Sequence, residues 1–273
     1  MPERLFYFSP LNTSERRSWL ERILVKSEVY FRNRDQLNDP NELRPTMVAE
    51  GTDKERRTFA RNQIARRWPI RLSPAKRLLE ETKLIHMYKT PGWLERIMHD
   101  ILGGIGLLSM SATAEEGLLW AYYAEGHRGV CIEFEGGVGL FAAAQEVTYT
   151  DQAPVINLLE DGRTTQIRKS MLTKASRWAH EREWRVLARW RDEERTQRFL
   201  MQHAVPPHIQ AFMRAQNGPG YYSFPPEAVR SVILGARADT ETAEWLQGIS
   251  GRLPQSVAIR RAQIDRAGTV TIQ

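Results

Sequence analysis

Leu107-Leu108-Ser109-Met110-Ser111 and, well downstream, Glu181-Arg182-Glu183-Trp184-Arg185-Val186-Leu187 are the two stretches on which the reading of this chain turns. Both read as strands. The first is apolar and ends in Ser-x-Ser. The second runs on from Glu183 to Trp190, and its Trp184, Val186 and Ala188 alternate with Arg185, Leu187 and Arg189. Successive side chains of a strand point to opposite faces, so Glu181, Glu183 and Arg185 share one face. Two carboxylates on one face repel, and one pKa rises unless a cation stands between them. Arg185 is placed to be that cation. A hydroxyl pair ending one strand and a carboxylate pair opening another suit a ribose on which positive charge develops. Taken singly, each segment reads more readily as a polar sheet edge or a solvated salt-bridge cluster, and the case for a site rests on what surrounds them.

Toward the N-terminus, Leu5 to Phe8 reads as a first strand ended by Pro10. Asn12, Thr13 or Ser14 can cap a following helix whose Trp19, Leu20, Ile23 and Leu24 form one apolar face. Val29 to Phe31 is a second strand, leading into the turn-rich Leu37-Asn38-Asp39-Pro40-Asn41-Glu42. Residues from about Thr52 to Asp100 look helical, divided by Pro69, Pro74 and Pro91, and Gly103-Gly104 ends them before the strand Ile105 to Ser111. A helix is expected from about Thr113 to Glu125, a strand at Gly129 to Phe134, another at Val147 to Tyr149, and a long helix from Leu158 to Trp178. The tail offers strands at Val229 to Leu234, Val257 to Arg261 and Thr269 to Ile272, with a helix among them. Strands and helices mix without regular alternation, which favours an α+β domain over a doubly wound sheet. The expectation is one domain over residues 1–273 with a basic helical insert at about 51–100.

The chain has 273 residues, enough for a large core, and 41% hydrophobic content with no apolar run of membrane-spanning length. The N-terminus does not read as a signal peptide, and the cytoplasm is the expected compartment. The single Cys131 excludes a disulfide framework or a cysteine zinc site within one chain. Six scattered histidines make a metal site unexpected. The net charge is +6, and it is unevenly spread. Between Gly51 and Glu80 lie Lys54, Arg56, Arg57, Arg61, Arg66, Arg67, Arg71, Lys76 and Arg77, opposed only by Asp53, Glu55 and Glu80. Such a block attracts phosphates by counterion release, so segment 54–77 is a candidate nucleic-acid surface; it is also consistent with an ordinary exposed helix.

Gly103-Gly104-Ile105-Gly106 precedes a strand instead of following one, so it is a helix terminator and not a dinucleotide fingerprint. Trp120, Tyr123 and His127 fall at i, i+3 and i+7 and mix aromatic with polar character, which suggests a cleft face as much as a core face.

Together these motifs resemble the bacterial family known as domain of unknown function 2971. The resemblance rests on Leu5 to Phe8, Asn38-Asp39-Pro40-Asn41-Glu42, Ser109 to Ser111, Trp120 to Tyr123, His127-Arg128-Gly129 and Glu181 to Arg185. It extends to the tail around Val229 to Gly235. More distantly, the order of aromatic strand, helix, Ser-x-Ser strand and Glu-x-Glu strand is similar to ADP-ribosyltransferases of the Arg-Ser-Glu type. That likeness implies a central split sheet with flanking helices and NAD as donor. It implies Glu183 as acceptor from the nicotinamide-ribose hydroxyl and as stabiliser of the oxocarbenium, and Glu181 as the group that activates the acceptor nucleophile. Ser109 and Ser111 would serve the nicotinamide side, and Trp120 or Tyr123 would stack on a ring. Tyr7, Asn38, Asp39, His127 and Arg185 complete the expected donor site. The first-strand cation of those enzymes is replaced here by Tyr7, with Arg4 nearby. The resemblance also hints at a toxin or phage-defence effector acting on nucleic acid, with an antitoxin or regulatory protein as partner. The alternatives are a non-catalytic nucleic-acid-binding or interaction module and an NAD hydrolase.

Overall fold

The computed structural model describes residues 1–67, 72–90, 92–160, 163–189 and 217–273. The expected breaks at Pro69 and Pro91 and the strand end at Trp190 lie outside them. The first strand, β1 (Arg4–Ser9), leads to helix α1 (Ser14–Lys26), where Thr13 is the cap: its Oγ1 accepts from the Arg16 backbone N–H at 3.1 Å. Leu20, Ile23 and Leu24 are buried as the periodicity required, but Trp19 is 39% exposed. Ser27, in a left-handed conformation, turns the chain into β2 (Glu28–Phe31).

After β3 (Thr46–Val48), the basic segment forms α2 (Asp53–Arg67) and α3 (Pro74–Lys89), followed by α4 (Trp93–Gly103). Met98 and Leu102 of α4 join the core beside Leu107, so the end of the basic helical region belongs to the body of the fold. Then come β4 (Ile105–Ser111), α5 (Gly117–Tyr123), β5 (Val130–Glu135), β6 (Gln145–Glu146), β7 (Thr148–Tyr149) and β8 (Val155–Asn157). Helix α5 is shorter than expected because Thr113 and Glu116 turn their side chains onto the backbone N–H groups of Glu115 and Leu118.

The long helix expected from Leu158 to Trp178 does not form. Only α6 (Arg163–Met171) is α-helical there, and it is followed by β9 (Thr173–Lys174) and a 3-10 turn at Ser176–Glu181. Pairing of β9 with β7, a tertiary contact, takes the chain out of the helix. The remaining elements are β10 (Glu183–Arg189), β11 (Gly220–Ser223), β12 (Val229–Leu234), α7 (Thr240–Ser250), β13 (Ala258–Ile264) and β14 (Val270–Ile272).

The protein is α+β, built on an eight-stranded mixed sheet of order β14-β13-β12-β5-β1-β4-β10-β6. Its β12–β13 pair is parallel and its other ladders are antiparallel. Alternation along the central strands fills both faces. Leu5, Ile132 and Val232 pack with α1 and α7, whereas Cys131 and Ile233 pack with Trp120 of α5. Beta1 and β4 meet through one residue pair, Phe6 with Ser111, against six pairs between β1 and β5. In the gap, the residue after β2 bridges to β4: Arg32 and Leu107 exchange backbone hydrogen bonds of 2.9 and 2.8 Å. This opening positions the site. No helix among the described residues is long and apolar enough to cross a membrane.

Candidate functional site: an ion cluster beneath a cleft in the sheet

A cavity of about 100 Å³ opens where β1 and β4 part. Consecutive residues of both strands line it, Phe6 to Phe8 and Leu107 to Ser111, because the missing ladder exposes both faces of each strand. Its polar floor comes from Asn38, Glu42, Tyr123, Lys174, Glu181 and Glu183.

Register places the serines. Ser111 lies opposite Glu183 and Ser109 opposite Arg185 in the antiparallel β4–β10 pair, so all four project from one face. Glu181 precedes the strand, yet it reaches the same floor because Arg182 adopts a left-handed conformation at φ 46° between the two glutamates. The shared face expected from simple alternation is therefore reached through a turn.

The floor is a closed ionic network. Arg185, fully buried, donates through Nε to Glu183 Oε1 at 2.7 Å and through Nη2 to Glu183 Oε2 at 2.9 Å. Its Nη2 also donates to Glu42, and Nη1 donates to the Met171 carbonyl at 2.7 Å. Lys174 Nζ donates to Glu181 Oε2 at 2.5 Å and Glu183 Oε2 at 3.0 Å, and lies 3.6 Å from Glu42 Oε2. Tyr123 donates to Glu181 Oε1 at 2.7 Å and accepts from Asn38 Nδ2 at 2.9 Å. With every member ionised, three carboxylates face two cations, which leaves one excess negative charge under the cavity.

Burial pushes the Glu183 carboxyl upward, but Arg185 and Lys174 outweigh it and hold its pKa down at about 2. Burial lowers Lys174 and Arg185, and the surrounding carboxylates more than reverse this, so both stay charged. Burial raises Glu42, with the Arg185 and Lys174 charges only partly opposing it. Burial and the Glu181 charge raise Tyr123, which keeps its proton and remains a donor.

These shifts fix a pH dependence. Glu183 has a folded pKa below its ordinary value of 4.5, so its stabilisation is complete above that pH and is lost as pH falls toward 2. Glu42, raised, has the opposite sign and offsets part of the loss. Denaturant unfolding measured across pH 2 to 6 should show stability falling below about pH 4.5. The Glu183 share is on the order of 3 kcal/mol. The Glu183→Gln protein should have a shallower slope over that window.

The sequence-derived residues divide. Tyr7, Asn38, Ser109, Ser111, Tyr123, Glu181 and Glu183 line the one cavity. Arg185 lies directly beneath it. Ser111 spends its hydroxyl proton on the Glu181 carbonyl at 2.8 Å, so it shapes the 181–183 turn. Glu183 already receives both Arg185 groups and Lys174, which takes three of the roughly four acceptor positions of a carboxylate. Acceptance of a substrate hydroxyl, expected of Glu183, falls better to Glu181, which among the described residues receives side-chain donors from Tyr123 and Lys174 alone.

Trp120, His127 and Asp39 are not brought to the cavity. Trp120 is fully buried, donates to the Ala114 carbonyl at 2.6 Å and packs edge-on to Phe8. His127 stacks on Trp120 at 6.3 Å, and its left-handed backbone is gripped by the Arg237 N–H, which donates to its carbonyl. A Cβ on Gly235 would come within 2.2 Å of that carbonyl, which accounts for the glycine. Asp39 accepts from the Asn41 backbone at 2.8 Å, Trp178 Nε1 at 3.0 Å and Arg177 at 3.2 Å. It ties the Asn-Asp-Pro turn to the segment before Glu181. It borders a second cavity of about 340 Å³, which shares Glu42 and Lys174 with the first. Arg4 is spent on Glu133 at 2.5 Å and does not reach the site.

Sequence reasoning missed Lys174 and Arg32, and it left Glu42 outside the site although the residue sits in the quoted turn. Lys174 lay inside the supposed long helix and carried no signal of its own. In the basic segment, Arg61 is paired with buried Glu81 at 2.9 Å, and the side chains of Arg66, Arg67 and Arg71 lie outside the described residues. Lys54, Arg57, Lys76 and Arg77 are exposed. Among the described residues no group of three or more His, Cys, Asp or Glu side chains is placed to hold a metal ion.

Comparisons with models of known protein families, with curated proteins and with solved structures return no match.

Proposed function

We propose that this chain cleaves the nicotinamide–ribose bond of NAD and transfers ADP-ribose, on an ADP-ribosyltransferase-like split sheet. The observation that carries the reading is the Ser111–Glu183 pairing at a cavity whose floor sets three carboxylates against two cations. As the C1′–N bond stretches, positive charge builds on the ribose. A fixed charge in a water-poor site stabilises it without reorganising at the moment of reaction. Glu183 supplies that charge, held ionised by Arg185 and Lys174. Glu181 takes a ribose hydroxyl with its remaining acceptor positions, and Tyr123 orients Glu181. Ser109, on the cavity wall, faces the nicotinamide side. The exposed cations of α2 and α3 favour a nucleic-acid acceptor, drawn in by counterion release.

One observation favours a second reading. The three cationic donor contacts held by Glu183 are also what a structural ion network requires, and in that case the chain is a non-catalytic binding module. Incubation of the purified protein with NAD labelled in both nicotinamide and adenylate separates the readings. Free nicotinamide together with adenylate label on added RNA, DNA or protein is the expected result. Nicotinamide release without transfer identifies a hydrolase. No consumption of NAD with any acceptor defeats the enzyme reading.

A further inference from the structure

The cavity does not close behind Tyr7. Tyr7, Tyr30 and Arg32 line both it and an adjoining groove of about 290 Å³, which is walled further by Arg16, Trp19 and Tyr221. Arg32 stands at the junction, its backbone pinned to Leu107 in the gap of the sheet. Glu28 is the one carboxylate lining the groove among the described residues, and Arg22 neutralises it at 2.7 Å. Neither Arg16 nor Arg32 forms an ion pair among the described residues, so the groove keeps two uncancelled positive charges. Its aromatic wall is open to water: Trp19 is 39% and Tyr221 44% exposed. Arg16 caps one face of Trp19 at 4.5 Å and Arg22 one face of Tyr221 at 3.7 Å, which orders both rings.

We infer that this groove binds a nucleoside diphosphate, the ADP half of the proposed donor. The base lies against Trp19 and Tyr221, and the phosphates meet Arg32 at the junction with Arg16 behind it. Flat bases stack on any aromatic face, and guanidinium groups match phosphate oxygens in forked geometry. Arg32 thereby provides, from the end of β2, the cation that Tyr7 does not provide on β1. The assignment of the reacting ribose to the cavity rests on the function proposed above; the affinity of the groove for a nucleoside diphosphate does not.

The test is calorimetric titration with ADP, which lacks the nicotinamide riboside and so fills the groove alone. The native protein should bind ADP, less tightly as salt is raised. Arg32→Ala and Trp19→Ala should each weaken binding about tenfold or more. Lys26→Ala, which removes an exposed charge from the same helix as Trp19, should change it less than about twofold. If Arg32→Ala loses its native circular dichroism, Arg32→Gln replaces it, and the exposed Trp19 site reports independently. Absence of ADP binding, or equal binding by all the variants, overturns the inference. ADP binding that depends on Arg32 in a protein that never consumes NAD upholds the groove and defeats the transferase. Turnover of NAD with a KM unmoved by Arg32→Ala does the reverse.

Discussion

On the proposed NAD chemistry, Glu183→Gln is expected to lower NAD turnover by about a hundredfold or more while the protein stays folded. Both halves follow from the charge count of the floor. Glu42, Glu181 and Glu183 oppose Lys174 and Arg185, so removing one carboxylate charge leaves the cluster balanced. Gln keeps an oxygen able to accept from Arg185. What disappears is the excess negative charge, which acts on the transition state more than on bound donor. The loss should therefore appear in kcat, with KM for NAD little changed. Glu181→Gln makes a useful comparison. It also neutralises the cluster, and in addition it alters the carboxylate with open acceptor positions, so it should raise KM as well as lower kcat. Nicotinamide release measured under steady-state conditions decides the matter. Full turnover in the Glu183→Gln protein removes the electrostatic mechanism and leaves the ion cluster structural.

Arg185→Met costs about 3–5 kcal/mol of folding stability, the range for removing one partner of a buried ion pair. Methionine fits the volume but leaves three carboxylates facing Lys174 alone, with Glu42 and Glu183 stripped of their main donor and the Met171 carbonyl unpaired. Chemical denaturation should show a lower midpoint at unchanged slope. Adding Glu42→Gln to Arg185→Met should recover part of the loss, because it removes one of the two stranded charges. Additive losses in the double variant would mean that the two residues do not interact.

Much of the sheet was legible in the sequence. Leu5 to Phe8, Ile105 to Ser111, Val130 to Phe134, Glu183 to Arg189 and Val229 to Leu234 are apolar or alternating runs between turn residues, and each is a central strand whose own side chains fill a core face. Short β3, β6, β9 and β11 were not legible. Two to four residues carry no periodicity, and these exist because a partner strand binds them. The helix expected across Leu158 to Trp178 failed for the same reason, since the pairing of Thr173 and Lys174 with β7 overrides local preference. Trp19 shows the converse: helical spacing put it on the apolar face, but β2 and β11 leave room for a groove beside it.

Three features were readable from the residues alone: the mixed α+β class, the placement of Ser-x-Ser at the end of one central strand and of Glu183 at the start of another, and the company of Arg185 with Glu183. Those properties follow from side-chain period and chain order. Folding in three dimensions sets Ser111 opposite Glu183, brings Lys174 and Glu42 into the cluster, and turns Arg32 toward a groove leading out of it. It alone withdrew Trp120 and His127 into packing and turn roles. The physical reason is register and distance. Lys174 lies 132 residues from Glu42 in the chain and 3.6 Å away in space, and no local pattern encodes that meeting.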